Sequence, residues 1–213
     1  MPVDLKASDI EKLFVDPKMF DSRSRWQKAG FQVFERRGET KMMVASHGTV
    51  NGYLFKKYAN DVDWEKQRLN YETRITGAEK LRAIIVQRGL RRIAVPHKRI
   101  FELPNFGTKR EPSYVLVVEH LRILDTDASE AAYGRIDDEL LEQLCIALVA
   151  LPGLDSSVMN LPFTENGGIA FIDTEHWYRR EGDKPALNHV RGCLSHESEK
   201  RADKLIKRLY KGD

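Results

Sequence analysis

The spacing of apolar positions changes several times along the chain, and each change predicts a different element. ASDIEKLF has helical spacing, with Ser8 as the expected N-cap, Glu11 three residues on, and Pro17 as a limit. SRSRWQK predicts a short second helix before Gly30. The pattern then shortens: FQVFERR and KMMVAS predict a hairpin with Gly38 in its turn, and YLFKKYA a third strand after the turn HGTVNG. VDWEKQRLNYETRITGAEKLRAIIVQRG predicts one long helix or two, with Gly77 weakening its middle. RRIAVPHKRIFEL is extended, and Pro96 argues for an edge or a bulge. NFGTKREP predicts a loop, and YVLVVEHL is apolar enough for a strand covered on both faces.

Beyond His120, DTDASEAAYGR is expected to be a linker with a helical turn. DDELLEQLCIALVALPG predicts a strong helix, opened by acids that suit its dipole and closed by Pro152 and Gly153. NLPFTENGGIAFID predicts a small hairpin turning at ENGG, and a last helix is expected from about Ser195 to Tyr210. The fold class expected is α+β: a helical extension over residues 1–30, a small antiparallel-sheet lobe over 31–120, and a mainly helical lobe over 121–213.

Bulk composition narrows the function without choosing it. The chain has 213 residues, is 41% hydrophobic and 31% charged, and carries a net charge of +3. That charge does not require a nucleic-acid partner. The basic residues of EKRADKLIKRLYK are expected to form a solvated helix face. Cys145 and Cys193 form no CxxC pair and show no zinc spacing, so a reduced, cytoplasmic setting is the default expectation. No apolar run reaches the length of a membrane span, and the N-terminus lacks the pattern of a signal peptide.

The candidate chemistry lies in LPGLDSSVMNLPFTENGGIAFIDTEHW, where Asp155 and Asp173 flank Asn160 and Asp173 ends a short buried strand. Two carboxylates and an amide supply hard oxygen donors of the kind Mg2+ takes. A carboxylate not spent on metal can orient or deprotonate a hydroxyl. The plain structural alternative is that Asp155 caps a turn, Asn160 satisfies a loop and Asp173 pairs with an arginine.

The spacing Asp155-x-x-x-x-Asn160 resembles the catalytic loop of protein kinases, and Asp173 stands where the aspartate of D-F-G would be. GYLFKKY resembles the strand that carries the V-A-I-K lysine, with Lys56 in that position and Lys57 as the alternative register. YVLVVEHL resembles the strand leading into the hinge. The resemblance covers residues 31 to about 175. It implies a two-lobed kinase-like fold that binds ATP and Mg2+ and transfers the γ-phosphoryl group to a hydroxyl, with Ser or Thr of a protein as first choice.

It further implies that Lys56 holds the phosphates and pairs with Glu79, or with Glu72. Gly38 would approach the phosphates. Val118 would be the gatekeeper, with adenine bound by backbone groups from Glu119 to Leu121. Asn160 and Asp173 would be metal ligands, and Asp155 would act on the acceptor. Runner-up readings are a small-molecule kinase and a nucleotide- or protein-binding module without transfer. The departures are large: no G-x-G-x-x-G, Gly153-Leu154-Asp155 for H-R-D, Asp173-Thr174-Glu175 for D-F-G, no A-P-E, and Ser157 where many kinases place a lysine. Arg179, Arg180 and Lys184 are downstream basic residues that could compensate for that lysine. In size the chain resembles the compact kinase-like effectors that some bacteria deliver into host cells.

Overall fold

The computed structural model describes residues 5–34, 42–58, 63–103, 112–178, 187 and 189–211. The chain divides into two compact units, one of residues 1–72 and 97–120 and the other of 73–96 and 121–213.

The first unit is built on a five-stranded antiparallel sheet. Its strands are β1 (Phe31–Val33), β2 (Met42–His47), β3 (Val50–Tyr58), β5 (Lys98–Glu102) and β6 (Tyr114–Glu119), in the spatial order β1-β2-β3-β6-β5. Alternation along β3 sends successive side chains to opposite faces. Phe55 joins Val115, Val117, Ala45 and Phe31 on one face, and helices α1 (Ala7–Leu13) and α2 (Arg23–Lys28) cover it through Ile10, Phe14 and Trp26. The aromatic rings interlock: Phe14 lies 5.6 Å from Phe55 and Phe31 4.9 Å from Trp26, both edge to face. The capping residue of α1 is Lys6 rather than Ser8; the Lys6 N–H donates to Asp9 Oδ2 at 3.2 Å, so the helix starts earlier than the Ser8 pattern suggests. Ser22 caps α2 as a serine there should.

The helix α3 (Trp64–Arg88) is continuous through Gly77, and its first two turns belong to the first unit. The buried Tyr71 hydroxyl accepts from the Tyr58 N–H at 3.1 Å and donates to the Lys56 carbonyl at 3.3 Å, which fixes the helix start to the end of β3. Lys57 is buried on the aromatic side of the sheet. Its Nζ donates to Gln67 Oε1 at 2.9 Å and to the Tyr58 carbonyl at 3.2 Å, and lies 5.2 Å from the centre of the Phe20 ring.

The second unit is mainly helical, with α4 (Thr126–Tyr133), α5 (Asp138–Ala150) and α6 (His196–Lys211). Its core gathers Leu81 of α3 and Leu90 just beyond it with Leu140, Leu144, Cys145 and Leu148 of α5, and with Phe163 and Phe171. Two short strands, β4 (Ile93–Ala94) and β7 (Ile169–Ala170), pair in parallel. The extended stretch around Pro96 is therefore split between the units: β4 pairs in the second and β5 edges the sheet of the first. The expected hairpin is present as a narrow antiparallel pair around the Phe163–Ile169 bridge: the Thr164 N–H donates to the Gly168 carbonyl at 2.8 Å, the Ala170 N–H to the Pro162 carbonyl at 2.9 Å and the Ile172 N–H to the Asn160 carbonyl at 3.0 Å.

The expected linker after His120 is instead the helix α4, capped by Asp125, which accepts from the Ala128 N–H at 2.8 Å. Only Ser129 and Tyr133 of α4 are buried, so the apolar signal that marks a helix is almost missing from its sequence. Arginines near the C-terminus are paired: Arg201 with Asp138, Arg208 with Glu142, and Arg191 with Asp203 and Glu199. Among the described residues, no helix is long and apolar enough to cross a membrane.

Burial pushes the Lys57 ammonium down to about 8 from its ordinary 10.5. Between those values the unfolded chain holds a proton that the folded chain has released, so stability rises with pH across that window. The difference in unfolding free energy between the wild type and Lys57→Met should therefore grow by up to about 3 kcal/mol as pH climbs from 8 to 10.5. Urea titrations at several pH values read it directly, and parallel curves for the two proteins would show that Lys57 is not desolvated.

Candidate functional site

In the first unit, the sheet face opposite the aromatic core carries a different set of side chains. Antiparallel register places Lys56 opposite Val44 on one side and Leu116 on the other, and Leu54 opposite Val118. Cross-strand partners share a face, so Lys56, Leu54, Leu116 and Val118 lie together. Lys57 is committed to the aromatic side, and Lys56 to this second face. Lys98 is opposite Val118 and buried, so a second lysine stands on the same face. The sequence reading passed over Lys98, whose only signal was a charged residue at a face position of a strand.

At the end of β6, the Glu119 N–H donates to the His97 carbonyl at 2.8 Å, and the His97 N–H donates back to Glu119 Oε2 at 3.1 Å. The His120 N–H donates to the Gly52 carbonyl at 2.8 Å. The backbone donors of Glu119 and His120 are thus spent inside the sheet. Leu121, half-buried, opens the second segment of the second unit. Gly38 lies outside the described residues, as do Arg179, Arg180 and Lys184.

In the second unit, α5 delivers the chain into the loop that carries Asp155. The loop starts at Gly153 for a steric reason. A Cβ there would stand 2.1 Å from the His176 carbonyl oxygen and 2.2 Å from that of Tyr178. Asp155 is exposed at the head of a tight turn. Its Oδ1 accepts from the Ser157 N–H at 2.9 Å and its Oδ2 accepts from Asn160 Nδ2 at 2.7 Å. Asn160 is tied to the segment before Asp173, because its carbonyl accepts from the Ile172 N–H at 3.0 Å. The structure therefore brings Asp155 and Asn160 into direct contact. It leaves the Asn160 amide oxygen as the atom of that side chain with ligand character.

Asp173 is held from α3. Arg74 Nη1 donates to Asp173 Oδ2 at 2.9 Å, and Arg74 Nη2 donates to Glu175 Oε2. The Arg74 side chain is 6% exposed and the two carboxylates 18% and 19%, so this is a largely dehydrated cluster of one cation and two anions. Backbone contacts reinforce it. Thr174 Oγ1 donates to the Arg74 carbonyl at 2.5 Å, and the Glu175 N–H donates to Asp173 Oδ1 at 3.2 Å. Glu72 is engaged by Arg68 at 2.7 Å, and Glu79 is exposed on α3. The sequence reading looked on this helix for a glutamate and missed Arg74. The available signal was Gly77 inside a helix, which marks a close approach of another backbone.

As donors for a hard divalent cation, the Asp173 carboxylate and the Asn160 amide oxygen fit by chemistry. The Asp173 oxygen that such an ion would use faces a guanidinium. Among the described residues, no group of three or more His, Cys, Asp or Glu side chains is placed to hold a metal ion.

No protein-family model matches the sequence, and no curated protein matches it. Among solved structures, the chain is similar to a MAP kinase from Leishmania major, with 14% identity and a TM-score of 0.37. The likeness covers 70% of this chain and 47% of that kinase. The α+β class expected from the sequence, with an antiparallel sheet in one unit and helices dominating the other, is what the chain adopts.

Gly77 is where helix propensity and packing oppose each other. A Cβ there would lie 2.2 Å from the Thr174 carbonyl oxygen and 2.7 Å from Trp177 Cδ1. Exchanging glycine for alanine in a helix ordinarily gains about 1 kcal/mol. Here the clash should reverse the sign, with a loss of about 1–3 kcal/mol. Urea unfolding of Gly77→Ala measures it, and a gain in stability would mean that the 174–177 segment does not press on the helix.

Proposed function

We propose that the chain is an ATP- and Mg2+-dependent kinase-like phosphotransferase acting on a hydroxyl, with Ser or Thr of a protein as the favoured acceptor. The observation that carries this reading is the 2.7 Å bond between Asp155 and Asn160 in the loop that follows α5. A turn needs only one of those side chains to cap it. Joining both in one loop, just before a bridged turn that ends in Asp173, is the layout that phosphoryl transfer uses.

In this reading the Asp155 carboxylate accepts or orients the acceptor hydroxyl proton. The new bond forms between the hydroxyl oxygen and the γ-phosphorus as the bond to the β-phosphate oxygen breaks. Lys56, on the sheet face it shares with Val118, binds the α- and β-phosphates. Glu79 is the preferred partner for Lys56 in this reading, with Glu72 as the alternative. Asp173 and Asn160 would hold Mg2+, which when bound offsets phosphate charge. The Glu119 and His120 backbone donors are spent in the sheet, so adenine recognition falls to carbonyl groups and to Leu121.

A second reading is a nucleotide- or protein-binding module without transfer. It is favoured by one observation: Arg74 already neutralises Asp173. Transfer of label from ATP into cell-extract proteins separates the two readings. Wild type should transfer, and Asp155→Ala should lose at least about a hundredfold in rate. That variant should still show the rise in unfolding midpoint that Mg-ATP gives the wild type by mass action. Asp173→Ala should lose both. Equal transfer by wild type and Asp155→Ala would falsify the role given to Asp155. No transfer with a preserved midpoint shift would favour the binding module.

A further inference from the structure

One side of α6 is packed, its two flanks are paired, and its outward side carries lysines alone. Ala202, Leu205, Ile206 and Leu209 pack on the core of the second unit. On one flank, Glu199 and Asp203 both hold Arg191, at 2.9 and 2.6 Å. On the other, Glu197 faces Arg201 at 3.8 Å, while Arg201 and Arg208 reach α5 at Asp138 and Glu142. Those pairs use every acid and every arginine of the helix. The side turned away from the core carries Lys200, Lys204, Lys207 and Lys211, each exposed. Their spacing sets them in one row, within about 60° of one another around the axis and over roughly 16 Å along it. No carboxylate of α6 lies in that row. Asp203, one turn before Lys207, is spent on Arg191.

We propose that this lysine row is a docking surface for an anionic lipid bilayer, on which α6 lies flat with its axis in the plane of the membrane. Like charges one turn apart repel and weaken a free-standing helix, and a surface of negative headgroups relieves that cost. A straight, convex ridge meets a plane along its whole length. Nucleic-acid sites are built instead from arginine forks and stacking aromatic rings, and the arginines of α6 are turned aside onto α5. Lysine ammoniums are compact and strongly hydrated, which suits attraction to a charged surface without close fit. The helix adsorbs rather than inserts, because its apolar face is already used in the core. The row is separate from the Asp155–Asn160 loop, so the docking surface stands or falls independently of phosphoryl transfer.

The test is co-sedimentation of the full chain with vesicles of phosphatidylcholine alone and of phosphatidylcholine mixed with phosphatidylserine. Wild type should bind the mixed vesicles and not the neutral ones. Binding should fall steeply once salt passes about 0.15 M, where charges are screened beyond about 8 Å. Each lysine close to an anionic surface adds about fivefold to the partition, so Lys200→Gln with Lys207→Gln should lose at least about tenfold. Changing all four lysines to glutamine should abolish binding. Glutamine keeps helix propensity and the four positions are exposed, so the fold is preserved. A charge-matched control changes Lys12, Lys18, Lys28 and Lys66, also exposed, to glutamine and should bind within about threefold of wild type. Equal losses in the two fourfold variants would show that net charge alone acts, and would overturn the proposal. Vesicle binding that survives loss of the lysine row would overturn it as well. So would lysine-dependent binding of a single-stranded oligonucleotide by a protein that ignores the mixed vesicles.

Discussion

The ion pair between Arg74 and Asp173 is the constraint on which the second unit's candidate site depends. It links a helix to a loop 99 residues further along the chain, and it does so with both partners largely out of water. Burying those charges is unfavourable unless each finds its partner, so the pair specifies one position for the 173–175 segment. The contacts around it follow from that position. Thr174 can reach the Arg74 carbonyl, Gly77 must lack a side chain, and Trp177 lies across Lys80. Gly153 must be bare for the same reason at the other end of the segment, where the 176–178 backbone passes over it.

In the first unit the organising constraint is the alternation of β3. One lysine, Lys57, is drawn into the aromatic core beneath the N-terminal helices, and Lys56 just before it faces the other way. The Lys57 ammonium has a neutral amide, a carbonyl and a ring for company, and its burial depresses its proton affinity. Lys56 shares its face with Leu54, Leu116 and Val118, a mostly apolar surface with a second lysine at Lys98. Register thus places the two adjacent lysines on opposite faces of the sheet.

Much of the fold was legible because its signals are local. Turn residues punctuate the strands between Phe31 and Tyr58, the stretch after them is long and free of proline, and Asp137 with two following acids announces α5. Features that escaped depend on distant partners. The parallel pairing of Ile93 with Ile169 leaves no trace in either short segment. The helix α4 hides because it buries only two of its side chains. In the candidate site, Asp155 and Asn160 were legible as a spaced pair in one loop. Arg74 was not, since the sequence holds many arginines and a buried one looks like any other. The plain structural uses foreseen for two of these residues are what the structure displays: Asp155 caps a turn, and Asp173 pairs with an arginine. Those contacts and a catalytic role are compatible, because a carboxylate that will later act must first be held in place.

The claim that the Arg74–Asp173 pair fixes the site is tested most directly by a double-mutant cycle. Unfolding free energies are measured for the wild type, Arg74→Met, Asp173→Asn and the double variant, in buffer free of metal and nucleotide. The pair predicts a coupling of about 1.5 kcal/mol or more between the two positions. Losses that simply add, within about 0.5 kcal/mol, would mean that the two side chains do not meet in the folded protein.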